Sequence, residues 1–271
     1  LFIAADGPRP EFESDRLKCE ECIHFVLNEI TWDCEVQTLF REENLGCKFG
    51  PSTAITWFFE KVELGIILED DIVPSSYFFN LSEQILEKYR DNKKVMHFGG
   101  VNFLKSNSNN ADFYFSKICH GWGWATWKDR WEKYNINFFE GMSETDFDEL
   151  FKQLNFNNAE KKFWNGIRLE VQNGLDAWDY SWQFTIWLND GVSIVPLENL
   201  VKNIGTGFDA THTATVPTLN LPTEGYRLTG KWPKKVEVNR NKDTELIRFI
   251  RGKDINKFAL LKRVVKRIAR I

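Results

Sequence analysis

The decapeptide Gly65-Ile66-Ile67-Leu68-Glu69-Asp70-Asp71-Ile72-Val73-Pro74 decides the fold class. Four residues suited to a buried strand run directly into three carboxylates. A short apolar run of this kind marks a strand covered on both faces of a sheet. Ligands of open α/β sheets bind just beyond the carboxyl ends of such strands. Three adjacent acids resist ionising together, and a hard divalent cation relieves the conflict because carboxylate oxygens are its preferred ligands. The segment therefore reads as a metal site at the lip of a sheet. The other reading, a solvated acidic turn, is weakened by Ile72, Val73, Tyr77, Phe78 and Phe79, which set the acids between apolar stretches.

Working outward, the alternation of strand and helix continues in both directions. Leu1–Ala5 reads as a strand ending in Asp6-Gly7-Pro8, and Ser14 or Asp15 opens a helix to about Ile30. Cys34–Phe40 alternates as a strand. A helix over about Ser52–Val62, or from near Lys48, precedes the acidic strand, and another, from Ser75 or Ser76 to about Arg90, follows it. Val95–Phe98 is a further strand. This order predicts a three-layer α/β/α fold around a mixed, mostly parallel sheet. It begins one strand–helix unit later than a nucleotide-binding α/β domain ordinarily does, so that first unit is expected to be missing. In the second half, Gly121–Trp127 leads into a helix ending near Tyr134. Helices follow at about 144–154, 160–172 and 178–188, then a strand at Val192–Val195 and a Gly-rich loop at Asn203–Thr213.

The 271 residues allow one large domain or two small ones; 42% are apolar and 27% charged, as in ordinary globular proteins. The 23 Phe and 11 Trp exceed what is ordinary, and such rings fill cores or stack on sugars. No run of 18 apolar residues is present, and no basic start leads into an apolar secretory stretch. The five cysteines follow no framework; Cys19 and Cys22 form a lone C-x-x-C on a helix, and reduced thiols in a cytosolic protein are the simpler account. The net charge of −4 is unevenly distributed: Arg227–Ile271 carries 15 Lys/Arg against 4 Asp/Glu. Within it, Phe258, Leu261, Val265 and Ile268 recur on a basic amphipathic helix. That helix either rests on anionic lipid, at about 1 kcal/mol per Lys or Arg, or docks on the acidic remainder. Nucleic acid is not an expected partner, since the globular part is acidic.

Taken together, LFIAADGP, ENLGCK, GIILEDDIVPS, HGWGWATWKDRW, AWDYSWQF and NIGTGFDATHT resemble bacterial nucleotide-diphospho-sugar transferases of the GT-A type, which are distantly similar to N-acetylglucosaminyltransferase I. The resemblance covers about residues 1–215. It implies a GT-A nucleotide-sugar transferase domain over 1–225 and leaves 226–271 as a basic C-terminal extension. It further implies a nucleotide-sugar donor, in particular a UDP-sugar, a bound Mn²⁺ or Mg²⁺, and transfer to a hydroxyl of a glycan or lipid-linked acceptor. Asp71 is then the metal ligand, Glu69 and Asp70 contact the donor's ribose and sugar, and Asp6 meets the base. Asp179 is the general base, and His212 lies on a loop closing over the donor phosphates. An inverting reaction at the cytoplasmic side, with the enzyme peripheral at the inner face of the membrane, completes this expectation.

The residue types suit that chemistry. Expelling a diphosphate builds negative charge that a cation stabilises. Mg²⁺-like ions often take only one or two protein carboxylates, so one direct ligand suffices. On an extended backbone Glu69 and Asp71 point one way and Asp70 the other. A positioned carboxylate removes the acceptor's proton, contributing about 10²–10⁴-fold; capping a helix is the structural alternative for Asp179. Trp178 and Trp182 lie one turn apart and frame a sugar or pack in the core. Gly121 and Gly123 permit close backbone approach. Two other classes compete: a sugar-phosphate nucleotidyltransferase, which needs a Gly- and Arg-rich phosphate loop near the start, and a carbohydrate-binding module, which has no need of the acids.

Overall fold

In the computed structural model, the described residues are 1–104, 111–205 and 228–251. The strands are β1 (Phe2–Ala5), β2 (Gln37–Phe40), β3 (Leu64–Ile67), β4 (Ile72–Pro74), β5 (Val95–Gly99), β6 (Phe113–Ser116), β7 (Trp124–Trp127), β8 (Val192–Pro196) and β9 (Val201–Asn203). The main helices are α1 (Glu13–Glu29), α2 (Gly46–Lys61), α3 (Ser76–Lys88), α4 (Lys128–Trp131), α5 (Glu144–Gln153), α6 (Asn158–Gln172) and α7 (Asp179–Leu188). A last helix, α8, occupies 240–251 up to the limit of the described residues.

The protein is mixed α/β. Its central sheet has five strands in the order β3-β7-β5-β8-β6, flanked by the pairs β1-β2 and β4-β9. Helices cover both faces of the central sheet. Phe78, Leu81 and Ile85 of α3 pack on Val95, Phe98 and Trp127. On the other face Ile55 and Phe59 of α2 and Trp182 and Ile186 of α7 enclose Met96 and Trp124. Val95 and Phe98 of β5 thus face one layer and Met96 and His97 the other, the register shift between Val95 and His97 interrupting strict alternation.

The sheet is not mostly parallel. Parallel pairing joins β1 to β2 and β5 to β8, whereas β3-β7, β5-β7, β6-β8 and β4-β9 are antiparallel. Four strands absent from the sequence reading account for this: β4 and β9, which pair with each other, and the strands β7 and β6 of the central sheet. Trp124–Trp127, read as the approach to a helix, inserts as β7 between β3 and β5, and all four of its residues are buried. Phe113–Ser116 forms the edge strand β6. Gly123 makes the turn into β7 at φ +56°, where a Cβ would lie 2.9 Å from Val201, so a side chain there meets both strain and a packed wall. Helix α2 starts at Gly46, closer to the alternative start near Lys48 than to Ser52, and carries Pro51 in its first turns.

The boundary expected at 225/226 does not set the following residues apart. Asp112 accepts from Thr229 N and Gly230 N, and Asp243, 2% exposed, accepts from Ser116 Oγ at 2.6 Å and Lys117 N at 3.0 Å. Leu246 and Ile247 of α8 are buried against the aromatic cluster of Phe147, Phe151, Trp164 and Trp187. Residues 228–251 therefore belong to the main body. The amphipathic stretch from Ile255 onward lies outside the described residues. Among the described residues, no helix is long and apolar enough to cross a membrane.

Candidate functional site

The three acids fall between β3 and β4, at the carboxyl end of β3, as the sequence order requires. They do not lie on extended backbone. Ile72 N donates to Glu69 O at 3.1 Å, closing a tight turn over Glu69–Ile72. Asp70 is exposed; Glu69 and Asp71 are half-buried.

Asp71 is held from β9. Asn203 Nδ2 donates to Asp71 Oδ2 at 2.9 Å, and Ile204 N donates to the Asp71 carbonyl at 2.8 Å. Gly205 N in turn donates to Asn203 Oδ1 at 2.8 Å, fixing the amide. The other carboxylate oxygen, Asp71 Oδ1, is buried with no hydrogen-bond partner. Such an orphan is costly. Burial, with Asp70 adding and the Asn203 hydrogen bond opposing, raises the Asp71 carboxyl above its ordinary range. A Cβ on Gly205 would lie 2.4 Å from Asp71 Oδ2, so the backbone approaches the carboxylate as only glycine allows. Asn203 was missed in the sequence, where its only signal was its place at the start of the Gly-rich loop.

Asp179 opens α7 and comes from a segment more than a hundred residues away from Glu69 in sequence, yet the two share one electrostatic site. Burial first, then Asp71 and Asp179, pushes the Glu69 carboxyl up to about 7, while a side-chain hydrogen bond with Trp178 works the other way. Cys47 feels the same group: burial, then Asp176, Glu69, Asp179 and Asp6, pushes its thiol up to about 11. No Lys or Arg among the described residues forms an ion pair with Asp6, Glu69, Asp70 or Asp71. Gly121 borders this site, and a Cβ there would sit in ordinary contact with Trp178 and Asp179.

Asp6, at the end of β1, is brought to the same region but is already engaged. Its two oxygens accept from Leu45 N, Gly46 N, Gly7 N and Asn44 Nδ2 at 2.9–3.1 Å. Asp176 accepts from Cys47 N and Lys48 N, both at 2.7 Å. Two carboxylates thus meet the exposed amides at the start of α2, where the helix dipole favours negative charge. Asp6 is the anchor of α2 besides being the residue that the resemblance gives to the base.

Trp178 and Trp182 are core residues, 4% and 1% exposed; Trp178 stacks on Trp124 and meets Trp131 edge-on, and Trp182 packs tilted against both. Trp178 alone of the two also borders the cavity beneath the acids. Trp182 Nε1 donates to His97 Nδ1 at 3.2 Å, and His97 Nε2 meets His120 O at 3.1 Å, which fixes a neutral imidazole. His212 and the loop from residue 206 lie outside the described residues.

The cavity under the acid rim measures about 970 Å³ and is bounded by β1, α1, α2 and the end of β3, with Asp6, Glu69, Asp70 and Trp178 on its border. Its walls are largely apolar side chains, including Phe2, Ile23, Val26, Phe58 and Ile66. Lys18 and Arg41 also line it, and the carboxylates stand on its rim.

No His, Cys, Asp and Glu cluster of three or more metal-ligand geometry occurs among the described residues. A cation at this rim would therefore rest on Asp71 with ligand oxygens completing its shell, and the buried, unpaired Oδ1 of Asp71 suits that arrangement. Fold and site together define a mixed α/β protein with a carboxylate cluster assembled at strand and helix ends. No protein-family model matches the chain, and no curated protein matches it.

Proposed function

We propose that the protein is a metal-dependent glycosyltransferase of the GT-A type, moving a sugar from a nucleoside-diphosphate donor, a UDP-sugar, to a hydroxyl of a glycan or lipid-linked acceptor. One observation carries the reading: Glu69, Asp71 and Asp179 converge without an ion-paired cation on the triplet, so that Glu69 titrates near 7. A carboxylate cluster with displaced pKa values at a sheet's ligand-binding end is a site rather than a fold support.

In this reading Asp71 holds Mn²⁺ or Mg²⁺ through its unpaired oxygen, and Asn203 keeps the other oxygen turned away. The cation, when bound, supplies Lewis-acid stabilisation of the departing diphosphate. Glu69 and Asp70 orient the donor sugar and ribose, and Asp6, rigid through its four donors, borders the base. Asp179, at the first turn of α7, takes the acceptor's proton as that oxygen bonds to C1 on the face opposite the departing diphosphate, which inverts the anomeric centre. His212 contacts the donor phosphates, and the basic tail rests on anionic membrane at the cytoplasmic face.

Thermal shift with a panel of nucleoside diphosphates, with and without Mn²⁺, tests the proposal. UDP is expected to raise Tm only when the metal is present, and Asp71→Ala to remove that metal dependence. Stabilisation by no diphosphate under either condition would overturn it. A product that keeps the donor's anomeric configuration would remove Asp179 from the role of base. Undiminished vesicle binding after deletion of 245–271 would end the membrane assignment.

A further inference from the structure

A second cavity, of about 650 Å³, opens at the end of α3. The helix starts directly after β4, beside the acid turn, and its 13 residues carry the chain about 20 Å away from the acids. The cavity is lined by Lys88, Tyr89 and Asn92 at that end and by residues of the segment 230–236. Its size suits a small ligand.

The segment is pinned to the body of the protein. Asp112 N donates to Lys231 O at 2.8 Å, and the Asp112 carboxylate accepts from Thr229 N and Gly230 N. Pro233 holds its own φ. The Trp232 ring lies within 13° of parallel to Tyr89, with 6.3 Å between centroids, and meets Phe113 edge-on at 5.1 Å. Tyr89 is buried, and Trp232 is half-buried on the cavity wall. The cavity thus has an aromatic side fixed by packing.

Its charge is of one sign. Lys88, Lys234 and Lys235 line it, and no carboxylate does. Lys235 Nζ lies 3.6 Å from Glu237, whereas Lys88 and Lys234 form no ion pair among the described residues. A lysine in the last turn of a helix ordinarily serves the unsatisfied carbonyls there. At the end of α3 that duty is taken by the buried Arg130, whose Nη2 donates to Tyr89 O at 2.9 Å and to Arg90 O at 2.7 Å. Lys88 is therefore not needed as a cap.

Unmatched cations around a concave surface attract an anion. Ammonium groups are compact point charges that suit the several oxygens of a phosphate, while the planar carboxylate is matched by the arginine fork. An aromatic wall beside them takes the apolar face of a sugar ring, and the Asn92 amide can donate to and accept from hydroxyls. We propose that this cavity binds a phosphate joined to a polyhydroxylated ring, with the phosphate on Lys88, Lys234 and Lys235 and the ring against Trp232. A free sugar phosphate and the headgroup of an inositol phospholipid share that chemistry. The site is remote from the acid rim and does not rest on the proposed transferase activity.

The indole N–H resonance of Trp232, assigned by its loss in Trp232→Phe, reports occupancy in the full chain without donor or metal. Glucose 6-phosphate or inositol 1-phosphate, added at constant ionic strength, is expected to shift it saturably below about 10 mM. The double variant Lys88→Gln/Lys234→Gln, at two exposed positions, should weaken that affinity at least about tenfold. Asp71→Ala should leave it unchanged. A response to phosphatidylcholine vesicles only when they contain phosphatidylinositol, absent with both soluble phosphates and lost in the double variant, supports the proposal and assigns the phosphate to a lipid headgroup. The proposal is overturned if neither the soluble phosphates nor the vesicles move the resonance, or if unphosphorylated glucose moves it as far. Undiminished binding by the double variant, or an equal loss in Asp71→Ala, overturns it as well.

Discussion

The β1-α1-β2 limb and the β5-β8-α7 core are built from the same alternation of strand and helix, yet they differ almost completely in burial. Every residue of β5 and β8 is buried, and α7 buries seven residues in a row from Ser181 to Trp187. In the limb, β1 and β2 have no buried residue and α1 has one. The limb is held by backbone pairing and polar ties: Arg9 grips Asp15 through two hydrogen bonds, at 2.6 and 3.2 Å, and Asp6 collects the amides before α2. Local pattern is enough to form an element, whereas its stability comes from what packs on it. The carboxylate site lies where these regions meet, with Asp6 from the limb and Asp179 from the core.

The sharpest way to break this comparison is Trp182→Ala. It removes a 1% exposed indole packed against Trp131 and strips His97 Nδ1 of its donor. A cost of about 3–5 kcal/mol is expected from urea unfolding, and a loss under 1 kcal/mol would show that the core is less tightly coupled than its burial implies.

Glu69 provides the next largest effect, and its sign separates a strained site from a supporting one. Its carboxyl ordinarily titrates at 4.5 and in the folded protein at about 7. Between these values the folded state binds more protons than the unfolded state, so stability falls as pH rises through the window. Glu69→Gln should raise stability by up to about 3 kcal/mol at pH 8 and leave it little changed at pH 4. The difference between the variant and the parent isolates Glu69 from the buried His97 and His120, whose imidazoles burial pushes down to about 3 and 4. Those histidines act oppositely, costing stability as pH falls below 6.5. A flat difference across pH 4–8 in metal-free urea titrations would remove the electrostatic argument for the site.

Asp176→Ala probes the seam between the two regions, because Asp176 precedes α7 and caps α2. Loss of the cap should cost about 1 kcal/mol, seen in the midpoint of thermal unfolding. The smallest effect belongs to the limb: Phe25→Ala, at a 64% exposed position, should change stability by less than about 0.5 kcal/mol.

Much of this was legible in the residues. The apolar run before Glu69, the caps near Ser75 and the break at Asn189-Asp190-Gly191 placed elements within a few positions of where they occur, because those signals are local. Trp124–Trp127 was not legible as a strand. Its tryptophans face both layers of the core, and its neighbours β3 and β5 are set by pairings remote in sequence. Asn203 was hidden for the same reason, since it acts on Asp71 only after β4 and β9 pair. The expectation of an extended acidic triplet failed because the Glu69–Ile72 turn reverses the chain there, at the start of the β4-β9 pair.

By itself, the sequence determined the α/β class, the acids at the end of a strand and the separate Asp179 at a helix start. These follow from periodicity and capping, which operate over a few residues. Tertiary structure alone decided that Glu69, Asp71 and Asp179 share one field, that most strand pairs run antiparallel, and that β1 and β3 stand with open edges. Strand partners and the summed field of several charges depend on distances in space that no local pattern encodes.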